Sequence, residues 1–271
     1  MKQFAVIGNP IEHSLSPDLH NYVYKLLSIN ALYKKKKVFH SELSQIMDDL
    51  RTGELNGVNV TIPHKENVIE YLDEINPRAK TIGAVNVIHK NGDKLFGNNT
   101  DWFGFNSALK KNGIEVIGKE VIVLGAGGTS KSILFALKQS GVKKIVLLNR
   151  TLQKAEELRD DFVFPYSLDD SVQKIKNDSI IINTTPIGMQ NEQCPIDLGL
   201  LHENQTLIDV IYTPMETAFL KLGKKIGAKT LNGLDMFIYQ GLTSMDLWFG
   251  EDISKKVNFT QLNTYLKNKL C

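Results

Sequence analysis

The chain has few of the residues and patterns that would assign it to a specialised class of protein. Two of its 271 residues are cysteines, Cys194 and Cys271, which leaves room for one disulfide but not for a disulfide framework. No cysteine and histidine cluster has metal-ligand spacing, so no metal site is expected. The apolar run at the N-terminus is too short for a signal peptide, and no apolar stretch approaches the length of a membrane span. We therefore expect a cytoplasmic protein with reduced cysteines.

The chain also lacks an excess of charge of either sign. Its 32 basic and 30 acidic residues give a formal net charge of +2, so electrostatics offers no case for binding nucleic acid or a membrane surface. The one basic run, residues 34–37, is expected to be a solvated strand edge. The expected partner is a small molecule, and the expected assembly is a monomer or a homodimer.

Short runs of β-branched residues alternate with helical stretches along the chain. This alternation indicates an α/β protein with parallel sheets. A fresh strand–helix–strand unit begins at Val121 and divides the chain, and the tail from about Phe237 is predicted to be helical. The predicted strands are residues 4–7, 58–61, 85–88, 121–124, 145–148, 180–183 and 207–211.

A glycine-rich turn joins the predicted strand 121–124 to a helix, as in a dinucleotide fingerprint. Glycine at 125 permits a tight turn, glycine at 127 lets the backbone approach a pyrophosphate, and the amides of the helix start bind the anion. Ser130 replaces the third glycine of the fingerprint, but it is small enough for close helix packing. The residues predicted to bind the dinucleotide here are Gly125, Ala126, Gly127, Gly128 and Thr129.

The end of the next strand indicates which dinucleotide is bound. An NAD enzyme usually carries Asp or Glu there, to accept hydrogen bonds from the ribose 2′-hydroxyl. This chain instead has Asn149, Arg150 and Thr151, with Lys154 one turn later. A guanidinium can pair with a 2′-phosphate in a forked geometry. The alternative is that Arg150 is a solvated residue at the strand end. Because the glycine turn precedes it in the chain, we instead predict that Arg150 binds NADP.

Lys65 follows a predicted strand and Pro63, which is expected to begin a helix. Lys65 would share the apolar face of that helix, where a partly buried lysine is suited to proton transfer. The alternative is that its stem covers the edge of the core while the ammonium reaches solvent. Asp101 precedes another predicted helix, which it could simply cap.

Other polar side chains follow or lie in predicted strands. Asn86 is expected inside an apolar strand, where a buried amide needs partners. In doubly wound folds, ligands gather outside the carboxyl ends of the strands. The hydroxyls, amide, ammonium and carboxylate found there suit a small ligand with several hydroxyls and one carboxylate. These residues are Ser14, Ser16, Thr61, Lys65, Asn86 and Asp101.

Together, these motifs resemble the shikimate dehydrogenase family over nearly the whole chain and in the same order. Two positions depart from the family's pattern: Lys131 stands where arginine is common, and Asp235 stands where many members have glycine. The segments that carry the resemblance are residues 10–16, 58–65, 83–87, 97–101, 125–128, 149–151, 183–189, 209–214 and 233–240.

The resemblance implies reduction of 3-dehydroshikimate to shikimate with NADPH, in the biosynthesis of chorismate and the aromatic amino acids, and the reverse with NADP. It implies that Lys65 donates the proton and that Asp101 orients the reacting hydroxyl. Ser14 and Ser16 would hold the substrate carboxylate. The further residues implied are Thr61, Asn86, Tyr212 and Gln240 for the substrate, and Val210 and Gly233 near the nicotinamide.

The fold implied is two α/β domains around a cleft. Residues 1–103 would bind the substrate, residues 104–237 would form a Rossmann-like NADP domain, and the helices of residues 238–271 would pack back on the first domain. Two alternatives stay open: a quinate/shikimate dehydrogenase that accepts quinate or NAD, and a non-catalytic relative that senses the ring acid. The absence of an acidic residue after strand 145–148 argues against NAD, and the presence of both Lys65 and Asp101 argues against sensing.

Overall fold

The structure, a computed structural model, describes residues 1–270. They form two compact units: Met1–Gly104 together with Ile238–Lys269, and Phe105–Phe237. Cys194 is not in a disulfide, and Cys271 lies outside the described residues. Within the described chain, no helix is long and apolar enough to cross a membrane.

A six-stranded sheet with the order β2-β1-β3-β5-β6-β4 is the centre of the first unit. Its strands are β1 (Lys2–Gly8), β2 (Ala31–Lys37), β3 (Gly57–Val60), β4 (Glu74–Ile75), β5 (Val87–Asn91) and β6 (Lys94–Asn98). Strands β2 and β3 pair parallel to β1, as expected. Strand β5 instead runs antiparallel to both β3 and β6. Its pairing with β6 follows from a tight turn at Gly92 (φ 60°), which returns the chain directly beside β5.

Helices cover the sheet of the first unit. Leu43, Ile46, Met47 and Leu50 recur at helical spacing and are buried in its core. The helices before the second unit are α1 (Ser16–Leu26), α2 (Leu43–Thr52), α3 (Pro77–Ile82) and α4 (Asp101–Lys111), with 3-10 helices at His40–Glu42 and Asn67–Tyr71.

The second unit contains a parallel sheet of six strands in the order β12-β11-β10-β7-β8-β9. From the central β7 the chain first adds β8 and β9 on one side, then β10 to β12 on the other. Ligands of such sheets bind at this reversal, outside the carboxyl ends of the strands. The strands are β7 (Glu120–Leu124), β8 (Lys144–Asn149), β9 (Val163–Ser167), β10 (Ile180–Asn183), β11 (Thr206–Asp209) and β12 (Lys229–Leu231).

The remaining helices follow the expected alternation with strands. Those after β7 are α5 (Gly128–Gln139), α6 (Leu152–Glu156), α7 (Ser171–Lys174), α8 (Ala218–Lys225), α9 (Leu234–Phe249), α10 (Ile253–Lys256) and α11 (Phe259–Leu270), with 3-10 helices at Leu168–Asp170 and Leu198–Leu200. The boundaries between the two units fall inside α4 and α9.

Two local predictions near the polar residues were wrong. Lys65 is not in a first helical turn: it lies in a turn that precedes the 3-10 helix, closed by a hydrogen bond from His64 N to Thr61 O of 2.9 Å. Asn86 lies one residue before β5, although its backbone still bonds Val60 and Asn98 on either side. Its side chain therefore remains at the level of the sheet.

Candidate active site

Lys65 and Asp101 form a buried ion pair in the first unit. Lys65 Nζ lies 2.6 Å from Asp101 Oδ2, and the two side chains are only 11% and 7% exposed. Lys65 follows β3, and Asp101 is the first residue of α4, directly after β6. The carboxylate thus faces the lysine rather than capping its own helix, and the ammonium is turned onto the carboxylate rather than to solvent.

Asn86 fixes the orientation of the Asp101 carboxylate. Its Nδ2 donates to Asp101 Oδ1 at 2.8 Å and is 3.4 Å from Gln240 Oε1. Its Oδ1 accepts from the backbone N of Thr100 at 2.8 Å. Since both oxygens of Asp101 have donors and Asn86 is anchored on both sides, the carboxylate is held in one rotamer.

A second layer of buried polar side chains supports this arrangement, and the sequence analysis missed it. Asn99 Oδ1 accepts from the backbone N of Asp101 at 3.1 Å. Ser244 Oγ lies 3.3 Å from Thr100 Oγ1 and accepts from Asn59 Nδ2 at 3.0 Å. Asn59 gave the one available signal, because an amide between valines in a buried strand needs partners.

Ser14 and Ser16 place two hydroxyls together at the beginning of α1. Their Oγ atoms are 3.1 Å apart, and the backbone N of Ser16 donates to Ser14 Oγ at 3.2 Å. The positive end of an 11-residue helix favours an anion at this position. Thr61 follows β3 and packs so closely on Gly8 that any side chain at residue 8 would overlap it. These hydroxyls are suited to a carboxylate and to ring hydroxyls.

Tyr212 is the one predicted substrate contact that belongs to the second unit. It follows β11, is half-buried and stacks on Phe237 with ring centroids 4.4 Å apart. Gln240, by contrast, belongs to the first unit, where it lies beside Asn86.

The glycine turn of the second unit has two glycines with different roles. Gly125 has a φ of +103°, and a Cβ there would lie 2.8 Å from Thr184 Oγ1, so the fold itself requires glycine. Gly127 is exposed with a φ of −95°, and a Cβ there would meet no atom within 4 Å. The fold does not require glycine at 127, which leaves close approach by a ligand as its use.

The start of α5 is suited to an anion. Gly127 is the N-cap residue, and it has no side chain that could cap the helix. The amides at the helix start and the helix dipole therefore both favour an anionic ligand at this position. Buried Ser130 donates from Oγ to Gly125 O at 2.6 Å. The serine in place of the third fingerprint glycine therefore closes the turn. The other predicted residues of the turn, Ala126, Gly128 and Thr129, are half-buried beside it.

The end of β8 carries cationic and neutral polar groups next to this turn. Strand β8 pairs with β7, and Leu148 is the neighbour of Leu124 in the sheet. Asn149, the next residue after Leu148, therefore lies next to the start of the glycine turn. Asn149 Nδ2 donates to Thr151 O at 2.7 Å, which shapes the bend, and Arg150, Thr151 and Lys154 are exposed. An exposed guanidinium with no carboxylate at this strand end is suited to a phosphate rather than to a ribose hydroxyl.

Val210 and Gly233 meet through their backbones in the second unit. Any side chain at residue 233 would overlap the carbonyl of Val210, and Gly233 N donates to Ile211 O at 3.0 Å.

Asp235 departs from the pattern of the family that the sequence resembles, and its contacts explain why an aspartate fits there. Its buried carboxylate accepts from Lys111 Nζ at 2.9 Å and from Asn112 Nδ2 at 2.8 Å.

Comparisons with known proteins agree with this architecture. Residues 6–88 match the model of the shikimate dehydrogenase substrate binding domain, and residues 107–189 match that of shikimate / quinate 5-dehydrogenase. The chain is 44% identical to shikimate dehydrogenase (NADP(+)) of Bacillus cereus, with 92% of this chain and 94% of that protein covered. It is 40% identical to the protein of the same name from Carboxydothermus hydrogenoformans, with 94% of each covered.

A solved structure extends the comparison to three dimensions. Shikimate 5-dehydrogenase from Thermus thermophilus, in complex with NADP(H) and shikimate, superimposes with a TM-score of 0.85 at 33% identity, with 99% of each chain covered. The fold is that of a two-domain dinucleotide-dependent dehydrogenase. The chain belongs to the shikimate dehydrogenase family, so the predicted family and the predicted α/β class with a Rossmann-type second domain are confirmed.

Proposed function

We propose that this protein catalyses the reversible, NADPH-dependent reduction of 3-dehydroshikimate to shikimate, a step in the biosynthesis of the aromatic amino acids. The observation that carries the proposal is the buried Lys65–Asp101 ion pair, surrounded by amides and hydroxyls. The names of the relatives support the same activity, and the predicted cofactor is confirmed by relatives named for NADP(+).

Lys65 is the proposed proton donor. NADPH, when bound, supplies the hydride to the carbonyl carbon of the substrate. As negative charge develops on the carbonyl oxygen, the ammonium of Lys65 stabilises that charge and donates a proton to it. Asp101 accepts a hydrogen bond from Lys65 and, on our proposal, orients the new hydroxyl. The neutral amine then regains a proton from solvent, and the oxidation of shikimate runs through the same steps in reverse.

The remaining polar residues are proposed to recognise a hydroxylated ring acid. Ser14 and Ser16 would hold the ring carboxylate with two hydroxyls at the positive end of α1. The proposed contacts to the ring oxygens are Thr61, Asn86, Tyr212 and Gln240.

Three features of the second unit support the binding of NADP. Gly127 leaves room for the pyrophosphate, the start of α5 favours its charge, and Arg150 with Lys154 can bind a 2′-phosphate. The residues proposed to contact the cofactor are Gly125, Ala126, Gly127, Gly128, Thr129, Asn149, Arg150, Thr151, Lys154, Val210 and Gly233. The cytoplasmic location, the state of monomer or homodimer and the predicted domain boundaries stay predictions.

One experiment separates the proposed function from its alternatives. Shikimate and quinate are each supplied with NADP and with NAD, and the formation of reduced nicotinamide is followed by absorbance. We expect turnover with shikimate and NADP and much less with either substitute. Comparable turnover of quinate would favour the broader dehydrogenase, because one extra ring hydroxyl is distinguished only by the shape of the pocket. Binding of shikimate by calorimetry without any turnover would instead indicate a sensing protein.

The two glycines of the turn give a prediction that separates folding from cofactor binding. Gly127→Ala should leave the free energy of unfolding within about 1 kcal/mol, since the cap changes only from glycine to alanine. It should raise the KM for NADPH by about tenfold or more, equivalent to about 1.4 kcal/mol of lost binding. KM comes from initial rates and stability from urea denaturation.

The matched variant is Gly125→Ala, which must lose stability as well, because its φ is +103° and Thr184 is in the way. An unchanged KM for NADPH in Gly127→Ala would show that the dinucleotide does not approach the backbone at residue 127.

A further inference from the structure

A buried carboxylate at the end of β11 has no place in the proposed chemistry. Asp209 is fully buried, and three donors converge on it. Its Oδ1 accepts from Asn183 Nδ2 at 3.1 Å and from the backbone N of Ile211 at 3.0 Å. Its Oδ2 accepts from Thr217 Oγ1 at 2.8 Å. Thr217 is the N-cap of α8, so one side chain joins two strand ends and the start of a helix.

The hydrogen bonds continue from Asp209 towards the glycine turn. Asn183, at the end of β10, accepts on its Oδ1 from Thr185 N at 3.0 Å and from Thr185 Oγ1 at 2.7 Å. The neighbouring Thr184 donates from Oγ1 to Leu124 O at 2.6 Å. The side chains of Thr184 and Thr185 occupy the space where a Cβ of Gly125 would lie. Asp209 is therefore connected, through the side-chain amide of Asn183, to Thr185, which packs against the glycine turn.

We propose that Asp209 is a positioning residue for the dinucleotide: through Asn183 it holds Thr184 and Thr185 against the glycine turn in the conformation that binds NADP(H). This inference rests on the proposed cofactor site. Asp209 itself touches neither substrate nor cofactor on this proposal; it acts through the loop that follows β10.

The hydrogen bonds of Asp209 can form with or without its charge. Burial raises the pKa of Asp209 to about 6, against the lowering effect of its hydrogen bonds to Ile211, Thr217 and Asn183. Burial therefore makes the charged form less favourable than it would be in solvent, while that form still predominates at pH 7. Either protonation state satisfies the network, because a protonated Oδ2 can donate to Thr217, whose hydroxyl can accept. An asparagine side chain can bond the same three partners: its oxygen at Oδ1 accepts from Asn183 and Ile211, and its nitrogen at Oδ2 donates to Thr217, which reverses the direction of that one bond.

The test uses the full-length protein and two variants at residue 209. The dissociation constant for NADPH is measured by nicotinamide fluorescence, and KM values for both substrates come from initial rates. We expect Asp209→Ala to weaken NADPH binding by about tenfold or more while the KM for shikimate changes less than about twofold. Asp209→Asn should stay within about threefold of the parent protein. Thr206→Val, at the other end of β11, is the matched control and should change neither constant.

Two outcomes overturn the inference. One is a folded Asp209→Ala protein whose NADPH affinity is unchanged. The other is Asp209→Asn binding as weakly as Asp209→Ala, which would mean that the charge matters and the bonding pattern does not. Failure of the parent protein to bind NADPH would contradict the proposed function instead, so the two failures are distinguishable.

A variant pair at residue 185 decides the question if Asp209→Ala does not fold. Thr185→Val keeps the methyl group near Gly125 but loses the hydroxyl bond to Asn183, whereas Thr185→Ser keeps the hydroxyl. Weaker NADPH binding in the valine variant, by about threefold or more, with near-normal binding in the serine variant supports the inference. Equal affinities for both variants and the parent protein overturn it.

Discussion

Replacing Lys65 with methionine should lower kcat by about 10²- to 10⁴-fold, the usual contribution of a positioned acid or base. The KM for shikimate should change much less, because the hydroxyls and amides proposed to hold the ring remain in place. Methionine keeps an unbranched apolar stem as far as Cε, with sulfur in place of Cδ, and lacks the ammonium. The measurement is steady-state oxidation of shikimate by NADP at saturating cofactor.

Stability must be separated from chemistry in this variant, because Lys65 is paired and buried. Its loss leaves the Asp101 carboxylate buried without its cation, which costs about 3–5 kcal/mol for pairs of this kind. The double variant Lys65→Met/Asp101→Asn removes both charges and should recover most of that stability. It should recover none of the activity, since the proton donor is still missing.

A second lysine provides the control. Lys94 also forms an ion pair at 2.6 Å, with Glu74, but both side chains are exposed in the same unit. Lys94→Met should leave kcat and stability close to those of the parent protein, because exposed pairs contribute about 0–1 kcal/mol. A Lys65→Met protein that is folded and retains normal kcat would remove Lys65 from the mechanism.

The parts of the fold that could be predicted from the sequence are those encoded in contiguous segments. The strand, glycine turn and helix from Val121 to Gln139 follow one another directly, so turn chemistry and periodicity were sufficient. The hairpin of β5 and β6 was equally local and was still missed. Its two-residue loop is Gly92 and Asp93, and glycine followed by aspartate between two strands is a hairpin signal, but the alternation of strands and helices elsewhere favoured parallel pairing.

The support of the site could not be predicted, because it depends on contacts between distant segments. Asn59 and Ser244 are 185 positions apart, and Lys111 and Asp235 are 124 positions apart. A serine on an apolar helix gives no sign of its partner, and a hydrogen-bonding role for Asp209 depends on which strands are neighbours. The expected helix at Lys65 was wrong for a related reason, since Pro63 permits a helix start but does not require one.

The choice of cofactor leads to the second large effect. Arg150→Gln should raise the KM for NADPH by about 10- to 100-fold, because an exposed contact between a guanidinium and a phosphate is lost, worth about 1.5–3 kcal/mol in total. The KM for NADH should change little, since that cofactor has no 2′-phosphate. The ratio of kcat/KM for NADPH to that for NADH therefore measures the contact directly. Because Arg150 is exposed, the effect should shrink as ionic strength rises.

Arg159 supplies the matched control for this change. It is an exposed arginine of the same unit whose guanidinium is paired with Glu156 at 2.7 Å. Arg159→Gln alters the net charge of the protein by the same amount but lies after α6, away from the end of β8.

If both arginine variants reduced kcat/KM for NADPH equally, the loss would reflect long-range attraction of a charged cofactor. If Arg150→Gln weakened NADPH and NADH to the same degree, no 2′-phosphate contact would exist and the physical basis for NADP selection would have to lie elsewhere. A loss confined to Arg150 and to NADPH is what a guanidinium bound to a 2′-phosphate requires.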